Sequence, residues 1–548
     1  MDWIVRNAPA LLLGAALAVA AATTLVLTSE MIFFGDSWGL LMTRRDLSVE
    51  NVLHPHNEHL IAIPAMLEMA SLRLFGMDSA TPGHVLLTVI LLSTAVLLYV
   101  YVKRRVGPWL ALFAAALILF LGPAYEVLLW PFEITFCGPV LFGLAMLLAL
   151  EREDRLGDIA ACVFLIVSLG FSSLGVPFIA AAAVAVLLGP RQDRLRRSFV
   201  FVIPALLFTA WYLGWGQDAE SQISLRNILA SPRSVLDSMA TAIASLLGLG
   251  AIPPGGTPDL SWGRPLLVAI VVVFGYRLLR RPGVPVGLWP VAAAAAATWF
   301  LTALPGRDPT ASRYQYAAAI LILMIFANLL RGVRVSRNGI LVAAAVTALA
   351  VASNLVDLRD GGNIFKRQSM LARADTAALE IARRTVRPDF QLNPDVAGTP
   401  SLVNIYAGEY FEAIDEFGSP AYSLQDLIAA PEEGRAQADV VLAEALPVRA
   451  ETGRPGGQGV PAGRCIRVRA ESVEAREVPL EPGLAWVQLQ PGPPGELSLR
   501  RFASESHPVA LDDPRGGTLT RLRIPDDGAN GVPWQLLVEA RQPARVCQ

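Results

Sequence analysis

Long apolar segments, repeated along roughly the first two thirds of the chain, constrain its fold more than any other feature. A helix needs about 20 apolar residues to cross the hydrocarbon core of a bilayer. Eleven segments approach or reach that length, and they lie at 8–28, 85–102, 107–122, 136–150, 157–171, 174–189, 198–214, 264–280, 286–304, 314–330 and 338–356. Only 17% of the 548 residues are charged, against about 25% in soluble domains. The sequence therefore predicts a polytopic α-helical membrane protein with about eleven spans.

The distribution of Arg and Lys predicts how these spans are oriented. Basic residues favour the cytoplasmic side of a membrane. With the N-terminus inside and the C-terminus outside, the inner segments carry 16 basic residues and the outer segments, up to the start of the tenth span, carry 8. The same criterion makes Leu60–Gly76 an interfacial helix, because a span there would move the basic run at 103–105 outside. The segment 8–28 is interpreted as an uncleaved anchor, with a cleaved signal peptide as the alternative.

The character of the chain changes after residue 356. Apolar runs stop there, and the rest predicts an extracytoplasmic soluble region in two parts, an α/β region at 357–450 and a β-rich domain at 464–548, joined by a Gly- and Pro-rich linker at 454–463. The β-rich part has short strand-like runs separated by Pro, Gly and Asp turns, which predicts a small β-sandwich. These runs lie at Cys465–Val468, Leu484–Leu489, Leu519–Ile524 and Trp534–Ala540.

The four cysteines divide into two pairs by their surroundings. Cys137 and Cys162 lie in apolar segments, where a thiol usually serves packing. Cys465 and Cys547 lie in the region predicted to be extracytoplasmic, and an even pair of cysteines in an oxidising compartment predicts a disulfide.

The loop after the first span concentrates side chains that can do chemistry. The Asp36 carboxylate, just beyond the span, can act as a general base or metal ligand, or it can cap a short helix. A compact cluster follows, consisting of His54, His56, Glu58 and His59. It predicts a site that orients substrate or tunes Asp36, with a zinc site and a turn of backbone-bonded imidazoles as the alternatives.

The second outer loop contributes two acids, Glu126 and Glu133, and no basic residue. Carboxylates here could join Asp36 in a metal site, because oxygen ligands suit Mg²⁺ and Mn²⁺. The alternative is that both are solvated loop carboxylates.

The fifth outer loop places Arg307 and Arg313 on the side of the membrane where arginine is scarce, with Tyr314 next to the second of them. Two guanidinium groups at an outer surface form a bidentate clamp for a phosphate. The alternative roles are snorkelling and pairing with Asp308.

Charge and motifs exclude two classes of partner. The net charge of −2 provides no basic field for nucleic acid. A Walker-type Gly-rich loop for a nucleotide is absent from the sequence.

Together these features resemble the GT-C superfamily of integral-membrane glycosyltransferases, which use polyprenyl-phosphate-linked sugar donors. The likeness covers roughly residues 1–356: an acid just after the first span, interfacial helices in the first outer loop, and an Arg-Tyr element opening a late span, here Arg313-Tyr314. The stretch His54–Pro64 looks like the first loop of bacterial members related to protein mannosyltransferases. The chain departs from many members at Ser37, where they carry a second acid after the first.

The resemblance implies an inverting transfer of sugar to an extracytoplasmic acceptor, which is a glycan, lipid or protein of the cell envelope, in a bacterial inner membrane. It implies Asp36 as the general base, with Glu58 or Glu133 as its acidic partner, and Arg313 as a ligand of the lipid phosphate. The substrate-binding candidates are His54, His56, His59, Arg307, Arg313, Tyr314 and Glu133. A divalent ion, Mg²⁺ or Mn²⁺, stays open as a cofactor. The alternatives are a transporter or flippase and a non-catalytic cell-envelope assembly protein.

Overall fold

The computed structural model of the protein describes residues 2–219, 223–250, 261–280, 283–392, 402, 405–446, 449–453, 464–469, 476–490, 495–509, 519–526, 532–539 and 543–548. The predicted linker at 454–463 lies outside the described residues. The chain divides into two compact units. Unit 1 comprises Met1–Glu30, Asp46–Leu74 and Ala80–Lys366, and unit 2 comprises Met31–Arg45, Phe75–Ser79 and Arg367–Gln548.

Helices dominate the first part of the chain. They are α1 Asp2–Thr28, α2 Asp36–Thr43, α3 Val49–Leu53, α4 Ala62–Phe75, α5 Thr81–Val106, α6 Pro108–Leu119, α7 Tyr125–Leu129, α8 Ile134–Leu150, α9 Arg155–Phe171, α10 Val176–Leu188, α11 Arg194–Arg197, α12 Phe199–Gly214, α13 Leu225–Leu246, α14 Gly263–Arg280, α15 Leu288–Ala303, α16 Ser312–Leu329 and α17 Arg337–Ile381. Local sequence signals set several of the ends. Gly107, at φ 94°, ends α5, and Pro108 begins α6.

Each of the eleven predicted spans coincides with one of these helices: α1, α5, α6, α8, α9, α10, α12, α14, α15, α16 and α17. Among the described residues, six helices are long and apolar enough to cross a membrane, or seven if α6 and the segment Gly122–Leu129, bent by 49° from it, form one span. The chain thus has the helices of a multi-pass membrane protein. The number of eleven spans and their orientation stay predictions.

The helix α17 runs without interruption through the boundary predicted after residue 356. No proline interrupts the 45 residues of this helix, so nothing in its backbone ends it where the apolar run stops. Within unit 1, α17 passes close to the turn after α6. A Cβ at Gly122 would lie 2.0 Å from the Asn354 carbonyl oxygen, and one at Gly361 would lie 2.4 Å from the Tyr125 ring. Glycine at both positions is what permits this close approach.

Unit 2 contains α2, which packs on a helix of the C-terminal region. The remaining helices are α18 Ala407–Phe417, α19 Leu424–Ala429 and α20 Glu432–Ala445. Trp38 of α2 is fully buried, its Nε1–H donates to the Phe33 carbonyl oxygen at 2.9 Å, and its ring lies 6.5 Å from that of Tyr410. An ion pair of 2.6 Å joins Arg45 to Glu412. These contacts fix the position of α2 by burying its aromatic residue.

The strands of unit 2 form two larger antiparallel sheets and one small one. They are β1 Gln391–Leu392, β2 Ile405–Tyr406, β3 Arg449–Gly453, β4 Cys465–Val468, β5 Arg476–Leu480, β6 Gly483–Leu489, β7 Glu496–Arg500, β8 His507–Val509, β9 Leu519–Ile524, β10 Trp534–Glu539 and β11 Ala544–Cys547. The strand orders are β1-β2, β5-β10-β7-β8 and β3-β9-β6-β11-β4. Burial alternates along β6 and β10, so one face of each larger sheet is covered. The four strand-like runs in the sequence correspond to β4, β6, β9 and β10, and the β-sandwich stays a prediction.

A buried carboxylate joins α20 to the turn after β7. Asp439 accepts hydrogen bonds from the backbone N–H groups of Arg501, Phe502 and Ala503 at 2.9 to 3.0 Å. Burial raises the pKa of Asp439, and these three bonds oppose the shift.

Cys465 and Cys547, the pair that the sequence predicted, form a disulfide between neighbouring strands β4 and β11. Cys137 and Cys162 are free and buried.

We expect the denatured, unreduced protein to show two titratable thiols. Replacing Cys465 and Cys547 together by Ser should lower the free energy of unfolding of the C-terminal sheets by about 2–5 kcal/mol, because the bridge closes a long loop of the unfolded chain.

Thermal unfolding of the full chain, followed by the signal of the β-sheets, measures this change, with Cys162→Ala as the matched control. Four thiols in the unreduced protein would contradict the pairing.

Candidate functional site

The His54–Leu60 stretch of unit 1 forms a tight turn between α3 and α4. The backbone N–H of His56 donates to the carbonyl of His59 at 2.9 Å, and the N–H of His59 donates back at 3.0 Å. Asn57 takes a positive φ of 51° inside the turn, a conformation that asparagine tolerates better than most residues. The Leu60 N–H donates to Ser173 Oγ at 3.0 Å, which anchors the end of the turn. Glu58 therefore projects from a backbone of defined geometry.

Two ion pairs connect this turn and the segment 124–133 to the loop before α16 and to the first turn of α16. Arg307 Nη2 lies 2.9 Å from Glu58 Oε2, and Arg313 Nε lies 3.0 Å from Glu126 Oε2. All four side chains are partly buried, with exposed fractions between 20% and 36%. At this depth salt screens an ion pair less than it does at a fully exposed position. Three loops far apart in sequence thus meet through their charges.

The Arg313 position is further defined by its neighbours. Its guanidinium lies 5.9 Å from the centre of the Trp130 ring, within the range of a cation–π contact. The Glu126 N–H donates to Ser312 Oγ at 3.2 Å, so backbone and side chain of Glu126 both contact the start of α16. Trp130 and Ser312 were not among the site residues predicted from the sequence. For Trp130, a tryptophan beside two acids in the same loop was a signal that could have identified it.

Asp308 does not pair with these arginines, which was one alternative for their role. Its Oδ1 accepts from the Thr310 N–H at 2.9 Å and from Thr310 Oγ1 at 2.6 Å, which closes the loop locally. Because Asp308 is engaged within its own turn, the partners of Arg307 and Arg313 come from other loops.

Two histidines of the turn have different surroundings from the third. His54 is exposed at the end of α3, whereas His56 contacts the Phe132 ring edge to face at 5.2 Å between centroids. His59 Nδ1 is buried and has no hydrogen-bond partner within the described part of the chain. Burial, and then the nearby Arg307 and His56, lower the pKa of His59 to about 4. Its imidazole is therefore neutral at neutral pH.

The two remaining unit 1 candidates lie at helix starts. Glu133 is fully buried immediately before α8, so it is not the solvated loop carboxylate that was one alternative for it. Removing a carboxylate from water is costly, which makes Glu133 a candidate for a role inside the protein. Tyr314 is buried in the first turn of α16, its ring 5.8 Å from that of Phe136.

Asp36 belongs to unit 2, where it is the first residue of α2 and half-buried. Gly35, with φ 51°, occupies the N-cap position, so Asp36 is not the cap that was one alternative for it. A carboxylate in the first helical turn is favoured by the helix dipole.

Within the described residues, no group of three or more His, Cys, Asp or Glu side chains is placed to hold a metal ion. Glu126, one of the predicted ligands, is engaged by Arg313. The metal site considered for Asp36, Glu126 and Glu133 and the zinc site considered for the histidines both stay predictions.

Comparison with known proteins adds one structural similarity. No family model and no curated protein sequence matches the chain. Among solved structures, the chain is similar to ArnT from Cupriavidus metallidurans, crystallised with undecaprenyl phosphate. The TM-score is 0.43 and the identity 12%, over 71% of this chain and 82% of that chain.

The depressed pKa of His59 makes a prediction about stability and pH. An unfolded imidazole takes up a proton near pH 6.5, whereas the folded one does so only near 4. Protonation between these values favours the unfolded state. The contribution of His59 is therefore fully present above about pH 6.5 and is lost as the pH falls towards 4.

Thermal unfolding between pH 4 and 7 tests this prediction. His59→Asn should show a shallower fall in melting temperature than the wild type. The exposed His54→Asn is the control and should follow the wild type. A wild-type slope in His59→Asn would contradict the assigned environment.

Proposed function

We propose that the protein is a membrane glycosyltransferase that moves a sugar from a polyprenyl-phosphate donor to an extracytoplasmic acceptor. The proposal rests mainly on one observation, the arginine pair Arg307 and Arg313 at and just before the start of α16. Arg307 and Arg313 are each oriented by a carboxylate from a different loop, Glu58 and Glu126. Such held arginines suit the task of receiving a phosphate that gains charge as it leaves.

The chemistry of the guanidinium group supports this role. It carries five N–H donors in a fixed plane, so one carboxylate does not exhaust its capacity, and it matches two phosphate oxygens at once. Donors that are already oriented stabilise the developing charge of a leaving group without reorganising during the reaction. The partly buried position of both arginines strengthens that interaction relative to water.

The proposed reaction is a single displacement with inversion. The acceptor hydroxyl oxygen attacks the anomeric carbon, and the bond between that carbon and the phosphate oxygen breaks. Polyprenyl phosphate leaves with the electron pair towards Arg307 and Arg313. Asp36 takes the hydroxyl proton as general base. No step is assigned to a metal ion.

The geometry favours a positioning role for Glu58 over the catalytic role expected from the sequence. Its carboxylate is engaged by Arg307, which leaves it placed to orient that guanidinium group. The neutral His59, with its buried Nδ1, is the better candidate for a hydrogen bond to a sugar hydroxyl. His54, His56, Tyr314 and Glu133 stay proposed substrate-binding residues.

The remaining parts of the protein have proposed roles in this scheme. The apolar helices of unit 1 would receive the polyprenyl chain, and unit 2 would contact the acceptor. The enzyme would work in a bacterial inner membrane with its reaction centre on the extracytoplasmic side.

We expect purified protein in lipid to consume one of a set of polyprenyl-phosphate sugars, and Asp36→Asn to lower the rate at least 10²-fold, the scale of a lost general base. Donor consumption is measured with and without EDTA, so that the same assay tests the open question of a divalent ion. Near-normal turnover by Asp36→Asn would refute the base assignment. Turnover with none of the donors would favour the transporter or assembly-protein alternatives.

We expect Arg313→Gln to lower kcat/KM by about 10²-fold or more, because it removes a donor to the leaving phosphate. The matched control is Arg233→Gln, which removes the same charge from an 83%-exposed side chain on α13.

Glu58→Gln should have a smaller effect that is not additive with that of Arg307→Gln, as expected for a residue that acts through its partner. Additive losses would indicate an independent role for Glu58.

A further inference from the structure

A charged cavity lies in unit 1, at the opposite end of α16 from Arg313. Its volume is about 510 Å³, and it lies between the C-terminal ends of α5, α8 and α10, the start of α15 and the turn after α16. The charged residues that line it are Arg104, Arg105, Arg197, Arg331, Glu151 and Glu153. Arg313 and Glu133 lie at the N-terminal ends of α16 and α8, so the two sites are separated by the length of these helices.

The charges of this cavity do not balance. Arg104 and Arg105 both contact the carboxylate of Glu151, Asp158 pairs with Arg197, and Glu153 also lines the cavity. Four arginines therefore face three acids, which leaves an excess of one positive charge. Arg331 is exposed, and no carboxylate of the described part of the chain pairs with it. An array of arginines with fewer acids attracts an anion, and arginine favours phosphate in particular.

The inner wall of the cavity is rigid, which separates it from a mobile surface cluster. The Arg105 guanidinium stacks on the Tyr101 ring, 3.4 Å from its centre, and donates to Asn328 Oδ1 at 3.1 Å. Arg197 is held by Asp158 through a buried pair of 2.8 Å. A ligand entering here would meet donors whose positions are already fixed, which lowers the entropic cost of binding.

Apolar side chains stand beside these arginines. Leu188 of α10 and Val286 before α15 line the cavity and are 46% and 63% exposed. A small soluble anion makes no favourable contact with apolar side chains. A phospholipid does, because it carries an apolar chain next to its charged phosphate. Basic pockets between membrane helices on the cytoplasmic side are suited to lipid head groups of this kind.

We infer that this cavity binds the phosphate head group of an anionic membrane lipid, independently of the proposed transferase reaction. Arg331 and Arg104 contact the phosphate from the open side, Arg105 and Arg197 supply the fixed positive wall, and the acyl chains lie along Leu188 and Val286. The positive-inside distribution places this end of the helices on the cytoplasmic side. The site would therefore couple the protein to the charge of the inner leaflet.

The test is native mass spectrometry of the detergent-purified full chain titrated with phosphatidylglycerol or phosphatidylcholine. Wild type should bind phosphatidylglycerol more tightly than phosphatidylcholine. Arg331→Gln should weaken phosphatidylglycerol binding about fivefold, the effect of losing one arginine near a lipid head group. Arg334→Gln is the matched control, because Arg334 is also exposed on the loop before α17 but does not line the cavity.

The outcomes separate the inference from its rivals. Equal losses in the two variants would refute it in favour of general surface charge, and equal binding of the two lipids would refute it outright. Glycerol phosphate that competes only at far higher concentration than the lipid supports a lipid site, whereas equal potency would overturn the lipid as occupant. An unchanged melting temperature of lipid-free Arg331→Gln confirms that the variant is folded. Donor turnover in Arg331→Gln should equal that of wild type, so failure here is distinct from failure of the proposed function.

Discussion

The cost of removing charge from water governs where unit 1 places its ionisable side chains and what they do. In a hydrocarbon environment a charge must reach the interface, pair or be absent. Several arginines of unit 1 are accordingly held by acids from other elements, among them Arg105, Arg197, Arg307 and Arg313. The requirement for pairing supplies stability and also fixes the directions in which the guanidinium groups point.

The two ends of the bundle use the same residue types in different proportions. Arg307, before α16, and Arg313, in its first turn, each have their own carboxylate, so the two pairs together carry no net charge. At the other ends of these helices two arginines share Glu151, and the excess positive charge persists. The first arrangement suits a phosphate that becomes more charged during a reaction. The second suits a stable anion that stays bound.

Unit 2 includes the segment Met31–Arg45, which follows α1 and contains α2. Burial of Trp38 beside Tyr410, together with the pair between Arg45 and Glu412, gives α2 a fixed position. Asp36, at the start of α2, is thereby held by a folded core, in contrast to a residue of an unsupported loop. A general base, the role proposed for Asp36, benefits from such support, because small displacements of a catalytic group cost much of its effect.

The sequence by itself determined the elements whose signals are local. Apolar length predicted the eleven helices, short strand-like runs between turn residues predicted strands such as β6 and β10, and two cysteines in the polar region predicted their disulfide. These features depend on neighbouring residues and on composition. It also singled out Arg307 and Arg313 as functional candidates, because arginine is scarce on the side of the membrane that the charge distribution predicts for them.

The tertiary structure alone decided which distant groups meet. Arg307 and Glu58 are 249 residues apart, and Arg313 and Glu126 are 187 apart, so no spacing rule relates them. The burial of Glu133, the neutral environment of His59 and the shared Glu151 likewise depend on helices packed from separate parts of the chain. Electrostatic partners are selected by three-dimensional proximity and desolvation, and a linear pattern records neither.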